Sequence, residues 1–181
     1  MNNAPKSAAE KAFQENFVKG LQKYKWEVPD FLNGNKQKVT VSDLVNHWRS
    51  ELNRINADQL EGIELTDSEF SQVMAKVHQI SNSYEAAKIL AIEESKGKID
   101  GIYRDDNPKI TRKQITLTIF KKAEVRGGDS SYRIAREVQT PNNNRFDIVL
   151  LINGLPLINI EQKRTDKTLD EAFGQFMRYY R

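Results

Sequence analysis

Cysteine is absent from the 181 residues, which excludes disulfides, thiolate zinc sites and a cysteine nucleophile. Histidine is scarce: His47 and His78 lie 31 positions apart in helix-patterned stretches, a poor spacing for joint metal ligation. No apolar run approaches the roughly 20 residues that span a bilayer. Met1 to Glu10 lacks the apolar stretch of a secretory signal, so the expected compartment is the cytoplasm. The phosphate-cradling pattern G-x-x-x-x-G-K-[ST] is also missing, and Gly127-Gly128 has no further part of a nucleotide-binding fingerprint and reads as a turn. A large excess of either charge is lacking overall, with a net value of +3.

That net charge is unevenly spread. Residues 1–100 carry 13 Lys/Arg against 15 Asp/Glu, whereas residues 101–181 carry 15 against 10. The basic half favours a polyanionic partner, though a solvated surface has the same composition. Arg104, Lys109, Arg112, Lys113, Lys121 and Lys122 form a loose basic run suited either to phosphate contacts or to solvent. With 38% hydrophobic and 29% charged residues, the chain is expected to fold as one globular domain, with or without an insertion.

The spacing of Phe13, Phe17, Leu21 and Tyr24 predicts an amphipathic helix over 7–24, with Ser7 and Glu10 as a capping box. Pro29 and Asn33-Gly34-Asn35 interrupt the periodicity over 27–40. Residues 41–97 read as helical, with Ser42, Thr66 and Ser83 as caps. Trp48, Phe70 and Met74 belong to the apolar stripes and are expected in a core.

After Gly97 the period changes to that of strands. Ile115, Leu117 and Ile119 alternate with threonines, and Tyr132 to Val138 suggest a second strand. Phe146 and Ile148-Val149-Leu150-Leu151-Ile152 are nearly continuously apolar, so both faces of that strand should be covered. Asn153-Gly154 is a strong hairpin signal, and Leu157 to Lys163 form the return strand. Thr168 and Glu171 start a last helix that is still running at Arg181, which leads us to expect a fragment of a longer chain. The expected class is α+β, or α/β-like: a mixed sheet of four or five strands, with the first helix on one face and the last on the other.

The hairpin carries three polar residues that its apolar pattern does not require. Glu161 and Lys163 share a face, being two apart in a strand. With a tight Asn153-Gly154 turn, Asp147 falls opposite Ile160; with a slightly wider loop it falls opposite Glu161. Adjacent carboxylates repel unless a cation lies between them, and magnesium takes such oxygen ligands together with phosphate oxygens. Lys163 is then placed to offset developing negative charge. From spacing alone, Asp147 can equally open a strand from a turn, with Glu161 and Lys163 as a solvated ion pair.

The string Arg145-Phe146-Asp147, then Asn153-Gly154-Leu155-Pro156, then Glu161-Gln162-Lys163 resembles the PD-(D/E)xK nuclease segment of type I restriction enzyme R subunits. Gln175 and Tyr179, four apart on the last helix, are similar to that family's Q-x-x-x-Y element. The resemblance implies a restriction-endonuclease-like fold and a magnesium-dependent endonuclease acting on DNA. It implies Asp147, Glu161 and Lys163 as catalytic residues, with metal held by Asp147, Glu161 and the Gln162 carbonyl. Gln175 and Tyr179 would support the site. A glutamate of the first helix would assist; Glu10 shares the Phe13–Phe17 face and is preferred to Glu15.

Implied partners are DNA and the methyltransferase and specificity subunits of a restriction-modification complex, with no membrane. ATP would serve only a motor beyond residue 181. The implied layout is a nuclease core at about 7–24 and 110–181, with a helical insertion at about 41–97. Two features depart from the pattern: Pro141 is not adjacent to Asp147, and Gln162 stands where the family often has an apolar residue. The alternatives are a stand-alone restriction-like or repair nuclease, and a non-catalytic DNA-binding or docking module of the same fold.

Overall fold

A computed structural model describes residues 8–90, 97–120, 130–142 and 144–161. Contacts divide the chain into two compact units, one formed by Met1–Val45 with Ser131–Arg181 and the other by Asn46–Ser130.

The first unit is built on a four-stranded mixed sheet. Its strands are β1 (Val39–Thr40), β4 (Tyr132–Gln139), β5 (Arg145–Ile152) and β6 (Leu155–Ile160), in that spatial order. β1 runs parallel to β4, while β4, β5 and β6 are antiparallel neighbours. The segment at 27–34, where the helical pattern breaks, runs along the outer edge of β4 ahead of β1, through bridges Glu27–Arg133 and Asn33–Arg136. At Gly34 the main-chain N–H donates to the Arg136 carbonyl at 3.0 Å. A Cβ at position 34 would stand 2.4 Å from that carbonyl oxygen and 2.5 Å from Glu137 Cβ, so only glycine fits without moving the strand. Gly34→Ala is expected to lower unfolding stability by about 1–3 kcal/mol, read by urea denaturation. A change below about 0.5 kcal/mol, within the range of ordinary surface substitutions, would show that the edge relaxes freely.

Both faces of β5 are covered, as its unbroken apolar pattern requires. Ile148 and Leu150 pack with Ile134, Val18, Phe17 and Leu21, the last three from helix α1 (Ala8–Gln22). Val149 and Leu151 pack on the other face with Leu32, Val39, Leu44, Ala135 and Val138. Leu32 lies in a short 3-10 turn at Asp30–Leu32, and Leu44 in helix α2 (Val41–Ile55). The final helix expected from Thr168 lies outside the described residues.

Helix α1 is rotated relative to the stripe read from its sequence. Phe13 is exposed, at 58%, while Gln14 and Val18 are buried, and the helix ends at Gln22, before the exposed Tyr24. Phe17 and Leu21 keep their inward role only in part. Two caps also differ from expectation. Helix α2 starts before Ser42, where Asp43 accepts from both the main-chain N–H and the hydroxyl of Thr40, each at 2.7 Å. Helix α4 (Ser83–Leu90) is preceded by Asn82, whose side-chain oxygen takes the Glu85 N–H at 2.9 Å.

The second unit contains most of α2, helix α3 (Asp67–His78), α4, and an antiparallel pair of strands, β2 (Lys98–Tyr103) and β3 (Gln114–Thr118). The strand expected near Ile115 therefore pairs with β2, in its own two-stranded sheet. Trp48 and Phe70 stack edge to face at 6.1 Å, as core residues. The capping box Thr66–Glu69 is present. Arg104 does not belong to a solvated basic run: its side chain and that of Glu69 are both fully buried, joined at 2.9 Å. Among the described residues no helix is long and apolar enough to cross a membrane.

Candidate active site

Asn153 and Gly154 occupy successive left-handed conformations, φ 51° and 76°, the type I′ turn that matches strand twist. Asn153 is suited to this position twice over. It tolerates positive φ, and its side-chain oxygen accepts the Ser131 N–H at 3.0 Å while its own N–H donates to the Ser131 carbonyl at 3.0 Å. Next to the turn, Ile152 pairs with Leu155 and Leu151 with Pro156. The register then shifts: Leu150 pairs with Ile158, Val149 with Asn159 and Ile148 with Ile160. Leu157 is the extra residue of a β-bulge. One step further along this register, Asp147 stands level with Glu161. The turn is tight, yet the bulge supplies the displacement that a wider loop would have given. Residues level on neighbouring antiparallel strands have Cβ atoms about 5 Å apart.

Asp147 is 4% exposed. Glu161 follows the end of β6 and is half-buried, with its Oε2 atom shielded from solvent. On the other side of β5, Arg136 pairs with Ile148 and Val138 with Phe146, so Glu137 is level with Asp147 as well. Continuing the two observed registers by one step would bring Glu137 on β4 and Glu161, just past β6, to the level of Asp147. Glu137 is turned toward other partners, accepting from Gln14 Nε2 at 2.9 Å and pairing with Arg145 Nε at 2.8 Å. Among the described residues no three His, Asp or Glu side chains gather closely enough to hold a metal. The donor set at this level is therefore the Asp147 and Glu161 carboxylates, which are hard oxygen ligands suited to magnesium together with main-chain and water oxygens.

The two glutamates of α1 have separate surroundings. Glu15 Oε1 accepts from the buried Arg136 Nη2 at 2.6 Å. That hydrogen bond holds the Glu15 carboxyl below its ordinary range, opposed in part by desolvation. Glu10 is half-buried one turn before Gln14. Gln162, Lys163, Gln175 and Tyr179 lie outside the described residues.

Three residues near Asp147 were not singled out from the sequence: Gln14, Arg136 and Glu137. Gln14 is 1% exposed and Arg136 4% exposed. The one sequence signal was a polar residue four before Val18 and seven before Leu21, on what proves to be the buried face of α1.

Fold and site together define an α+β domain that carries a carboxylate pair at the open end of an antiparallel hairpin. The chain belongs to the family described as "Type I restriction enzyme R protein N terminus", which matches residues 8–181. It is similar to the type I restriction enzyme SauCOLORF180P endonuclease subunit of Staphylococcus aureus (strain COL), with 32% identity over 79% of this chain and 14% of the relative. Similarity to the SsaAORF53P endonuclease subunit of Staphylococcus saprophyticus is 32% over 75% of this chain and 13% of the relative. The EcoprrI endonuclease subunit of Escherichia coli is 25% identical over 93% of this chain and 56% of its own length. The chain thus spans about one-seventh of the staphylococcal relatives.

Proposed function

We propose that this domain cleaves DNA phosphodiester bonds as the nuclease part of a type I restriction-modification complex. Magnesium would be held by Asp147, Glu161 and the Gln162 main-chain carbonyl. The observation that carries the reading is the bulge at Leu157, which sets two carboxylates level at the end of an apolar hairpin. Such a pair is self-repelling, and a bound divalent cation relieves the repulsion. When bound, magnesium supplies Lewis-acid polarisation of a phosphate oxygen and a more acidic water.

The chain's own groups do the rest. Asp147 and Glu161 provide a charge-matched seat. Lys163, two residues past Glu161, is the cation that offsets charge developing on the phosphate. By the family motif Gln175 and Tyr179 support the site, and Glu10 assists through water. DNA is the substrate, methyltransferase and specificity subunits are the partners, and the cytoplasm is the compartment. A further ATP-driven motor would lie beyond residue 181.

A metal titration tests the reading directly. Magnesium at about ten times its Kd should stabilise the folded chain by about 1.4 kcal/mol, raising Tm by about 3–5 °C. Asp147→Ala should lose that increment, whatever its baseline Tm. A docking module that merely keeps the fold would show no magnesium-dependent rise in either protein.

A further inference from the structure

The deeply buried amide of Gln14 lies against the main chain of Asp147, and both of its ends are engaged. Its Oε1 accepts from Arg136 Nη2 at 2.9 Å. Its Nε2 donates to Glu137 Oε1 at 2.9 Å and to the main-chain carbonyl of Asp147 at 3.3 Å. One residue of α1 therefore touches two successive residues of β4 and the backbone of β5 at the proposed metal-holding acid.

The backbone departs from regular pleating at this same level. Ala135 and Val138 are three apart in β4 and yet pack into one cluster. Phe146 and Val149 are three apart in β5 and pack into that cluster too. In a regular strand, residues three apart face opposite sides. Both strands therefore depart from simple alternation between these residues, and within that stretch of β4 Glu137 has φ 53°. A non-glycine residue in that region is held there by its surroundings. For Glu137 the holding contacts are Gln14 Nε2 on one carboxylate oxygen and Arg145 Nε on the other.

We propose that Gln14 is a positioning residue for the nuclease site: through Glu137 and the Asp147 carbonyl, its amide sets the backbone that carries the Asp147 carboxylate. This rests on Asp147 being a metal-holding acid and assigns the first helix a role in the site through an uncharged side chain. In this role Gln14 would act through Glu137 and Asp147, its observed partners, along with Arg136. Groups that orient a metal's ligands typically change metal affinity or activity about 10–100-fold when removed.

The test uses the full-length subunit with its partner subunits, ATP and magnesium, comparing wild type, Gln14→Met and Gln14→Glu. Methionine keeps the volume and loses every hydrogen bond. Glutamate can still accept from Arg136 but cannot donate to Glu137 or to the Asp147 carbonyl. The readouts are plasmid cleavage across a magnesium series, ATP hydrolysis, and Tm in EDTA. Both variants should need about 10-fold more magnesium for half-maximal cleavage, with ATP hydrolysis unchanged and cleavage largely recovered at high magnesium.

A purely structural role would lower Tm and reduce cleavage equally at all magnesium concentrations; that result overturns the proposal, and Gln14→Glu decides the matter should Gln14→Met not fold. Wild-type cleavage with the usual magnesium dependence, alongside unshifted variants, overturns this inference alone. Wild-type cleavage indifferent to magnesium overturns the reading of the site and this inference together.

Discussion

Lys163→Ala in the full-length subunit, assembled with its partners and supplied with ATP and magnesium, is expected to hydrolyse ATP at the wild-type rate while cleaving DNA at least about 100-fold more slowly. The magnitude is that of losing a preorganised charge at a reacting oxyanion, about 100- to 1000-fold in mutagenesis of comparable groups. The reason for the split lies in the separation of tasks. In the proposed site Asp147 and Glu161 would still hold the cation, so metal binding is expected to persist. In the proposed complex, ATP hydrolysis belongs to a separate motor and would not use this lysine. What the substitution would remove is the ammonium group that, in the proposed mechanism, offsets charge on the phosphate as it is attacked. Lys163→Arg should restore little, because a planar guanidinium does not occupy the position of a compact ammonium. Plasmid cleavage by Lys163→Ala at the wild-type rate would remove the Asp147–Glu161–Lys163 assignment, and the docking-module alternative would then be preferred.

The largest expected loss of stability is in the second unit, at Glu69→Ala. Glu69 accepts from Arg104 Nε at 2.9 Å, from the Asp105 N–H at 2.7 Å and from the Thr66 N–H at 3.1 Å. Neither Arg104 nor Glu69 exposes any side-chain surface. Arg104 also donates to the carbonyls of Leu60 and Ile63, at 3.2 and 2.9 Å. Removing the carboxylate leaves a buried guanidinium without its counter-charge and two main-chain N–H groups without their acceptor. Breaking a buried pair by deleting one partner costs about 3–5 kcal/mol, equivalent to roughly 10 °C in a domain of this size. The capping box at the start of α3 is lost in the same stroke. Glu69→Leu combined with Arg104→Met should recover part of the loss, since no buried charge then stands alone. The check is urea unfolding of the three proteins. A cost under about 1 kcal/mol for Glu69→Ala would mean that water reaches Arg104.

Elements dictated by local chemistry were legible in the sequence. Thr66 and Glu69 form the capping box that their three-residue spacing suggests. Asn153-Gly154 makes the tight turn that two left-handed residues require. The apolar run of β5 is covered on both faces. The register that brings the acids level was only half legible. Turn chemistry alone sets Asp147 opposite Ile160. Whether one residue of the return strand bulges depends on how Leu157 and Pro156 meet β5, which no local propensity encodes. The face of α1 was misread for a related reason. Phe13 and Tyr24 outrank Gln14 in any hydropathy scale, yet Gln14 is buried because β4 and β5 supply partners for both ends of its amide. Arg104 begins a loose basic run in the sequence, yet it is buried because Glu69, 35 residues earlier, supplies its counter-charge.

Periodicity and turn chemistry were enough to specify the α+β class and the hairpin, while the family was legible through the resemblance of the Arg145–Lys163 string. Their physical basis is short-range: side-chain alternation, capping and turn preferences act within a few residues. The bulged register that pairs Ile148 with Ile160, the burial of Gln14 and Arg136, and the Arg104–Glu69 pair were decided only in three dimensions. Each of these depends on a partner far along the chain, and the balance between desolvating a polar group and satisfying it is struck only when that partner arrives.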